Sequence, residues 1–153
     1  MKTKPNALLV VVCAMSLGAS SCGDPPPQAR TYWTLSGMAD ASRDRGQTLQ
    51  GFQLRFVFRP MPTNVGEAAR VQQRYVPIDP SVDREPLALN VQVPAGTYTV
   101  EVQFTAGPLC SGSRFDPRTI GTVTVDNVVA PSQSESTRTN AVLARVNPIT
   151  FCN

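Results

Sequence analysis

The sequence predicts an all-β fold, a single antiparallel sandwich of about six to eight strands behind an N-terminal apolar helix. Three observations lead there. Phe52, Leu54, Phe56 and Phe58 alternate with Gln53, Arg55, Val57 and Arg59, the period-2 pattern of a half-buried strand. The same pattern recurs in Leu87, Leu89, Val91 and Val93 and again in Tyr98, Val100, Val102 and Phe104, with the turn residues Pro94-Ala95-Gly96 between the two runs. No segment after the N-terminal apolar run carries the apolar period of a long amphipathic helix.

The strands follow in order. Tyr32 to Leu35 is a short aromatic and β-branched run that stops at Ser36-Gly37, and Ala41 to Gln47 reads as a polar turn. Pro60-Met61-Pro62 ends the Phe52–Phe58 strand, because proline cannot donate to a ladder. Residues 63–86 allow two readings. Asn64-Val65-Gly66-Glu67 has capping-box spacing and Glu67 to Arg74 contains good helix formers, which favours one or two helical turns; a long loop with a strand at Val71 to Ile78 fits equally well. The runs on either side of Pro94-Ala95-Gly96 predict a hairpin. Thr119 to Val125 is a further strand, and Ala130 to Asn140 is a polar loop. Val142, Ala144 and Val146 mark a last long strand, interrupted at Pro148 and continuing from Ile149 to Phe151.

The first 22 residues have a different logic. Lys2 and Lys4 precede the apolar run Ala7 to Met15, and small residues lead from Ser16 to Ala19-Ser20-Ser21-Cys22. This is the layout of a secretory signal, and its terminal cysteine resembles a bacterial lipoprotein signal. The resemblance implies a diacylglycerol on Cys22, removal of residues 1–21 and acylation of the new amino group. Ala19-Ser20-Ser21 also suits an ordinary signal peptidase, which would leave Cys22 as a plain thiol. Cysteine parity favours the lipid. Cys13 leaves with the signal, so lipidation of Cys22 leaves Cys110 and Cys152 to pair, whereas plain cleavage leaves an odd thiol in an oxidising compartment. The apolar run is about half the ~20 residues that a membrane-spanning helix needs. The expected organisation is a signal peptide at 1–21, a tether at 22–29 containing Pro25-Pro26-Pro27, and a β-sandwich domain at 30–153. Gly23 after the cysteine, in place of an aspartate retention signal, points to an outer membrane.

Composition excludes several kinds of chemistry. After residue 21 the chain has twelve arginines against eleven carboxylates and contains neither Lys nor His. A side-chain charge of +1 gives no reason to expect nucleic acid. Without His there is no Ser-His-Asp or Cys-His catalysis and no His-ligated metal. Without Lys there is no Ser-Lys dyad or Schiff base. Carboxylate chemistry and oxygen-ligand metal sites survive. The sequence therefore predicts no enzyme and no cofactor.

Two stretches carry a family resemblance. Leu35-Ser36-Gly37, Asp40, Gly46, Leu49-Gln50-Gly51 and the Phe52–Phe58 strand resemble the first hairpin of the carboxypeptidase-regulatory-like, transthyretin-like β-sandwich. Val93-Pro94-Ala95-Gly96-Thr97-Tyr98-Thr99-Val100 is similar to that family's second hallmark. The resemblance implies an Ig-like or transthyretin-like sandwich with a non-catalytic accessory or adhesive role, and it transfers no functional residues.

A Cys110–Cys152 disulfide would close a loop of about 43 residues and is the structural pair the cysteine count leaves. Asp79, Asp83 and Glu85 lie close together in a Pro-bounded loop, as calcium ligands or as solvated charge. Arg43, Arg45, Arg55 and Arg59 flank or line the first predicted hairpin, facing headgroups or acidic glycans or simply keeping a sheet face wet. Tyr32 and Trp33 are either a sugar-stacking platform or core. The expected role is a lipid-anchored, non-catalytic interaction or assembly module in the bacterial cell envelope, with an envelope protein as partner. The alternative is a carbohydrate or small-ligand binding module.

Overall fold

Side chains that alternate in polarity fold into two facing β-sheets. The computed structural model describes residues 28–43, 49–79, 82–108, 118–131 and 138–146, so Cys22, Cys110 and Cys152 lie outside the described residues. The elements are β1 (Gln28–Ser36), α1 (Met38–Ser42), β2 (Leu49–Pro60), a 3-10 turn (Gly66–Ala69), β3 (Gln72–Pro77), β4 (Leu87–Pro94), β5 (Gly96–Pro108), β6 (Arg118–Ala130), β7 (Arg138–Val142) and β8 (Ala144–Arg145). One sheet has the order β4-β1-β7 and the other β3-β2-β5-β6-β8. The predicted all-β sandwich is the fold.

The core lies where the inward rows of the two sheets meet. Trp33 and Leu35 of β1, with Val91 and Val93 of β4, face Leu54, Phe56 and Phe58 of β2 and Tyr98, Val100, Val102 and Phe104 of β5. The rings of Trp33 and Phe56 are tilted at 5.3 Å, and Phe58 meets Tyr98 edge-on at 5.6 Å. The buried polar groups of β1 are paired. The Trp33 Nε1–H donates to Thr31 Oγ1 at 2.9 Å, and the Thr31 hydroxyl donates to Val91 O at 3.0 Å.

The pairings are antiparallel with one exception. β1 and β7 run parallel, from Tyr32 opposite Arg138 to Ser36 opposite Val142. This corrects the expectation of a wholly antiparallel sandwich. β7 takes the edge of β1 that β4 leaves open, with Ala141 level with Leu35 at the core, and no tight turn joins the two strands, so no hairpin fixes them antiparallel.

Both predicted hairpins are corrected. β4 pairs with β1, while β5 pairs with β2 and β6, so Pro94-Ala95-Gly96 carries the chain from one sheet to the other. Two strands that bury one face in a common core alternate as a hairpin does, and the pattern does not name the partner. Local chemistry also closes the hairpin option. Asn64 Oδ1 accepts from Thr97 N–H at 3.0 Å, and Asn64 Nδ2 donates to Thr97 O at 2.8 Å. Asn64 therefore anchors the start of β5 rather than capping a helix, and no side chain caps the 3-10 turn. β1 and β2 likewise lie in different sheets, joined through α1, so the stretch that resembles a first hairpin is also a crossing.

Both readings of 63–86 hold in part, since it contains the 3-10 turn and then β3. The described part of the predicted last strand is two short ones in different sheets, broken at Leu143, and its continuation from Ile149 to Phe151 lies outside the described residues. Its inward residues are Ala141 and Leu143, while Val142 is exposed. Val142 is more apolar than Ala141, and that misplaces the phase by one residue. β1 starts at Gln28, paired with Pro94, and Ala29 is buried, so the sandwich begins within the segment read as tether.

Tyr98 staples the crossing after β4. Its hydroxyl donates to Pro94 O at 2.7 Å from a fully buried ring. Burial pushes its pKa above the ordinary 10.0; the Arg74 charge opposes this and Glu67 adds to it. The folded protein thus holds this proton more tightly than the unfolded chain. The resulting stability is complete below the ordinary phenol value and is lost as pH rises from there through the raised value. Tyr98→Phe is expected to cost about 1–2 kcal/mol at neutral pH by leaving Pro94 O without its donor, and to flatten the fall in stability at alkaline pH. Urea titrations at neutral and alkaline pH check both, and an unchanged alkaline slope in the variant counts against the assignment.

Candidate functional site

The two outward faces of the sandwich differ in how their polar side chains are used. On the five-stranded sheet these groups bond to one another. Arg55 Nη2 donates to Gln73 Oε1 at 3.0 Å and its Nη1 to Gln103 Oε1 at 3.4 Å. Gln103 Nε2 donates to Glu101 Oε1 at 2.6 Å, and Glu101 pairs with Arg59 at 3.4 Å. Thr99 bonds Asp126, and the Tyr75 hydroxyl bonds Gln73 beneath the Arg55 guanidinium. That face carries a network running from β3 through β2 to β5, with Thr99–Asp126 as a separate link to β6 and Arg55 Nε buried without a partner. It accounts for Arg55 and Arg59 as partners within the sheet; Arg43 is exposed beside Asp40, and Arg45 lies outside the described residues.

The three-stranded sheet presents the opposite case. Even-numbered residues of β1, β4 and β7 point outward, because the odd-numbered ones fill the core. Register puts Tyr32 between Asn90 and Arg138, and Arg30 beside Gln92. Among the described residues, the side chains of Arg30, Tyr32, Asn90, Gln92 and Arg138 hold no hydrogen bond and no ion pair. No Asp or Glu occurs in β1, β4 or β7. A shallow cleft of about 190 Å³ opens around Tyr32, lined by Ala88, Leu89, Asn90 and Arg138. The partly buried Tyr32 ring stands in register between an amide and a guanidinium.

The aromatic pair Tyr32-Trp33 is split by the pleat. Trp33 is core, 1% exposed, so it is no platform; Tyr32 is outward and available. Sequence reading passed over Arg30, Asn90 and Arg138, which sit on three strands and meet through register alone.

A second depression, of about 290 Å³, lies where α1 meets the loop before β4. Met38, Ile78 and Phe104 form its apolar part, with Asp83, Arg84 and Glu85 at the rim. The acidic groups there serve the backbone. Glu85 accepts from Gly37 N–H at 3.0 Å and from Ala39 N–H at 2.5 Å, and Asp83 accepts from Asp79 N–H at 2.8 Å. Among the described residues no group of three or more His, Cys, Asp or Glu is placed to hold a metal ion. The loop that sequence reading offered as calcium ligands ties α1 and its own turn together.

No family model, curated protein or solved structure matches this chain. Among the described residues no helix is long and apolar enough to cross a membrane.

Proposed function

We propose that this chain is a lipid-anchored, non-catalytic binding module of the bacterial cell envelope, related to the transthyretin-like sandwiches, that meets its partner through the outward face of the three-stranded sheet. The observation that carries this reading is the set of five polar side chains on the face that holds the Tyr32 cleft, without partners among the described residues, against an opposite face where Arg55, Arg59, Gln73, Glu101 and Gln103 bond to one another. Groups that bond only water are free to exchange it for a ligand without breaking the fold. The absence of His and of Lys after the signal supports a role without catalysis. The signal layout and cysteine parity support Cys22 as the attachment point.

Two measurements test the anchor and the face separately. Cys22→Ser is expected to move a folded protein from the membrane fraction to the soluble one; a correctly processed variant that stays with the membrane removes the lipid from the proposal. For the face, the Tyr32→Ala/Arg138→Gln double variant is expected to lose cross-links to envelope material that the Arg55→Gln variant keeps. Equal cross-linking by both variants removes the face from the proposal.

We also propose that Cys110 and Cys152 are bonded. β5 ends at Pro108, two residues before Cys110, on the side where Ala106 pairs with Arg118. Val146 N–H donates to Ile120 O at 3.1 Å, so Val146, the last described residue, stands at that same end of β6. The six residues from Val146 to Cys152 reach about 20 Å when extended. The bond would add about 4 kcal/mol in the chain-entropy account. Peptide mapping without reductant is expected to recover the cross-linked pair, and two alkylatable thiols in the intact protein would exclude it.

A further inference from the structure

We infer that the cleft around Tyr32 binds an acidic saccharide, a pyranose carrying a carboxylate. The inference rests on the binding-face reading above and names its ligand class. Four observations converge. Tyr32 supplies a partly buried aromatic ring on the central strand of its sheet, at the cleft, a surface on which the apolar side of a sugar ring stacks. Asn90, whose amide has no partner among the described residues, stands on one side of that ring as donor and acceptor for ring hydroxyls. Arg138 stands on the other side at the same register position, and Arg30 lies two residues before Tyr32 on the same strand and face. Both guanidiniums are without an ion pair among the described residues, and β1, β4 and β7 contribute no acidic residue.

An uncompensated guanidinium beside an aromatic ring selects for a planar anion as well as for a sugar. A carboxylate accepts two parallel N–H bonds from arginine, a geometry that a hydroxyl cannot match. A neutral saccharide would accept hydrogen bonds from the arginines but leave their charge uncompensated, and a simple inorganic anion would leave the ring and the amide unused. The cleft is shallow, about 190 Å³, and suits a single sugar ring of a larger saccharide better than a whole small molecule, whose pockets enclose about 300 Å³ or more.

The experiment uses the detergent-solubilised full-length protein, titrated by calorimetry with polygalacturonate oligomers, with the same oligomers as methyl esters, and with vesicles of equal parts phosphatidylcholine and phosphatidylglycerol. The acidic oligomer is expected to bind, and esterification to weaken it about tenfold or more, the effect of losing charge-assisted hydrogen bonds. Arg138→Gln and Tyr32→Ala are each expected to lower affinity by a similar factor with the thermal midpoint unchanged. Arg59→Gln, on the opposite face, is expected to leave affinity intact. Equal binding of the ester overturns the charge selection. Vesicle binding that depends on Arg138, without oligomer binding, overturns the saccharide in favour of a lipid headgroup; in both cases the binding face itself stands. Oligomer binding that neither Arg138→Gln nor Tyr32→Ala reduces overturns the site.

Discussion

Trp33→Ala is expected to lower the unfolding free energy by about 3–5 kcal/mol, the usual cost of truncating a fully buried aromatic. The ring fills the centre of the sandwich, touches Phe56 across the sheets and is 1% exposed. Its removal leaves a cavity between two rigid sheets that cannot collapse onto it. It also strips Thr31 Oγ1 of its donor from Trp33 Nε1. Trp33→Phe is the milder test. It keeps an aromatic ring in the core but gives up the pyrrole half of the indole together with its N–H, so its cost is expected to be about 2–3 kcal/mol. Urea titration followed by far-UV circular dichroism measures both, since the substitution removes the chain's one tryptophan and with it the fluorescence signal. A loss below 1 kcal/mol for Trp33→Ala would contradict the core placement and restore the platform reading.

Gly37→Ala is expected to cost about 2–5 kcal/mol, from two additive sources. Gly37 has φ +86°, where an L side chain is strained by about 1–2 kcal/mol. A Cβ there would also lie 2.5 Å from Leu143 O, and overpacking of that kind costs about 1–3 kcal/mol. The neighbourhood has little freedom to yield. Leu143 N–H donates to Ser36 O at 2.8 Å, and the Glu85 carboxylate holds Gly37 N–H from the other side. Gly66 is the internal control. Its φ is +60° with nothing within 4 Å of a Cβ, so Gly66→Ala is expected to cost only the strain, about 1–2 kcal/mol. Comparison of the two chemical-denaturation midpoints checks this, and equal losses would mean that contact with Leu143 carries no weight. Against a typical total stability of about 5–15 kcal/mol, the Gly37 variant is the one that threatens folding at physiological temperature.

Much of this fold was legible because alternation is a local record of burial. The inward rows Leu54-Phe56-Phe58 and Tyr98-Val100-Val102-Phe104 were readable residue by residue, and they are the core. What alternation omits is the identity of the neighbouring strand. That omission turned two sheet crossings into apparent hairpins. Short elements were also invisible. α1 has five residues, fewer than the two helical turns that a period needs to show itself, and its two buried residues, Met38 and Ala41, carry no pattern on their own. The candidate face was half legible. Tyr32 stood out as an aromatic, but its neighbours Asn90 and Arg138 are far away in sequence and ordinary in type. Only the β4-β1-β7 order makes them adjacent.

The sequence by itself determined the class of fold, the side chains that enter the core, and the chemistry that a chain without His and without Lys after residue 4 is denied. These follow from residue type and from period, which are local properties. The tertiary structure alone decided which strands pair, that β1 and β7 run parallel, that Trp33 is covered while Tyr32 is not, and that Arg30, Asn90 and Arg138 share one open face. Those choices are made by burying two sheets against each other, a global condition that fixes chain direction and register at once.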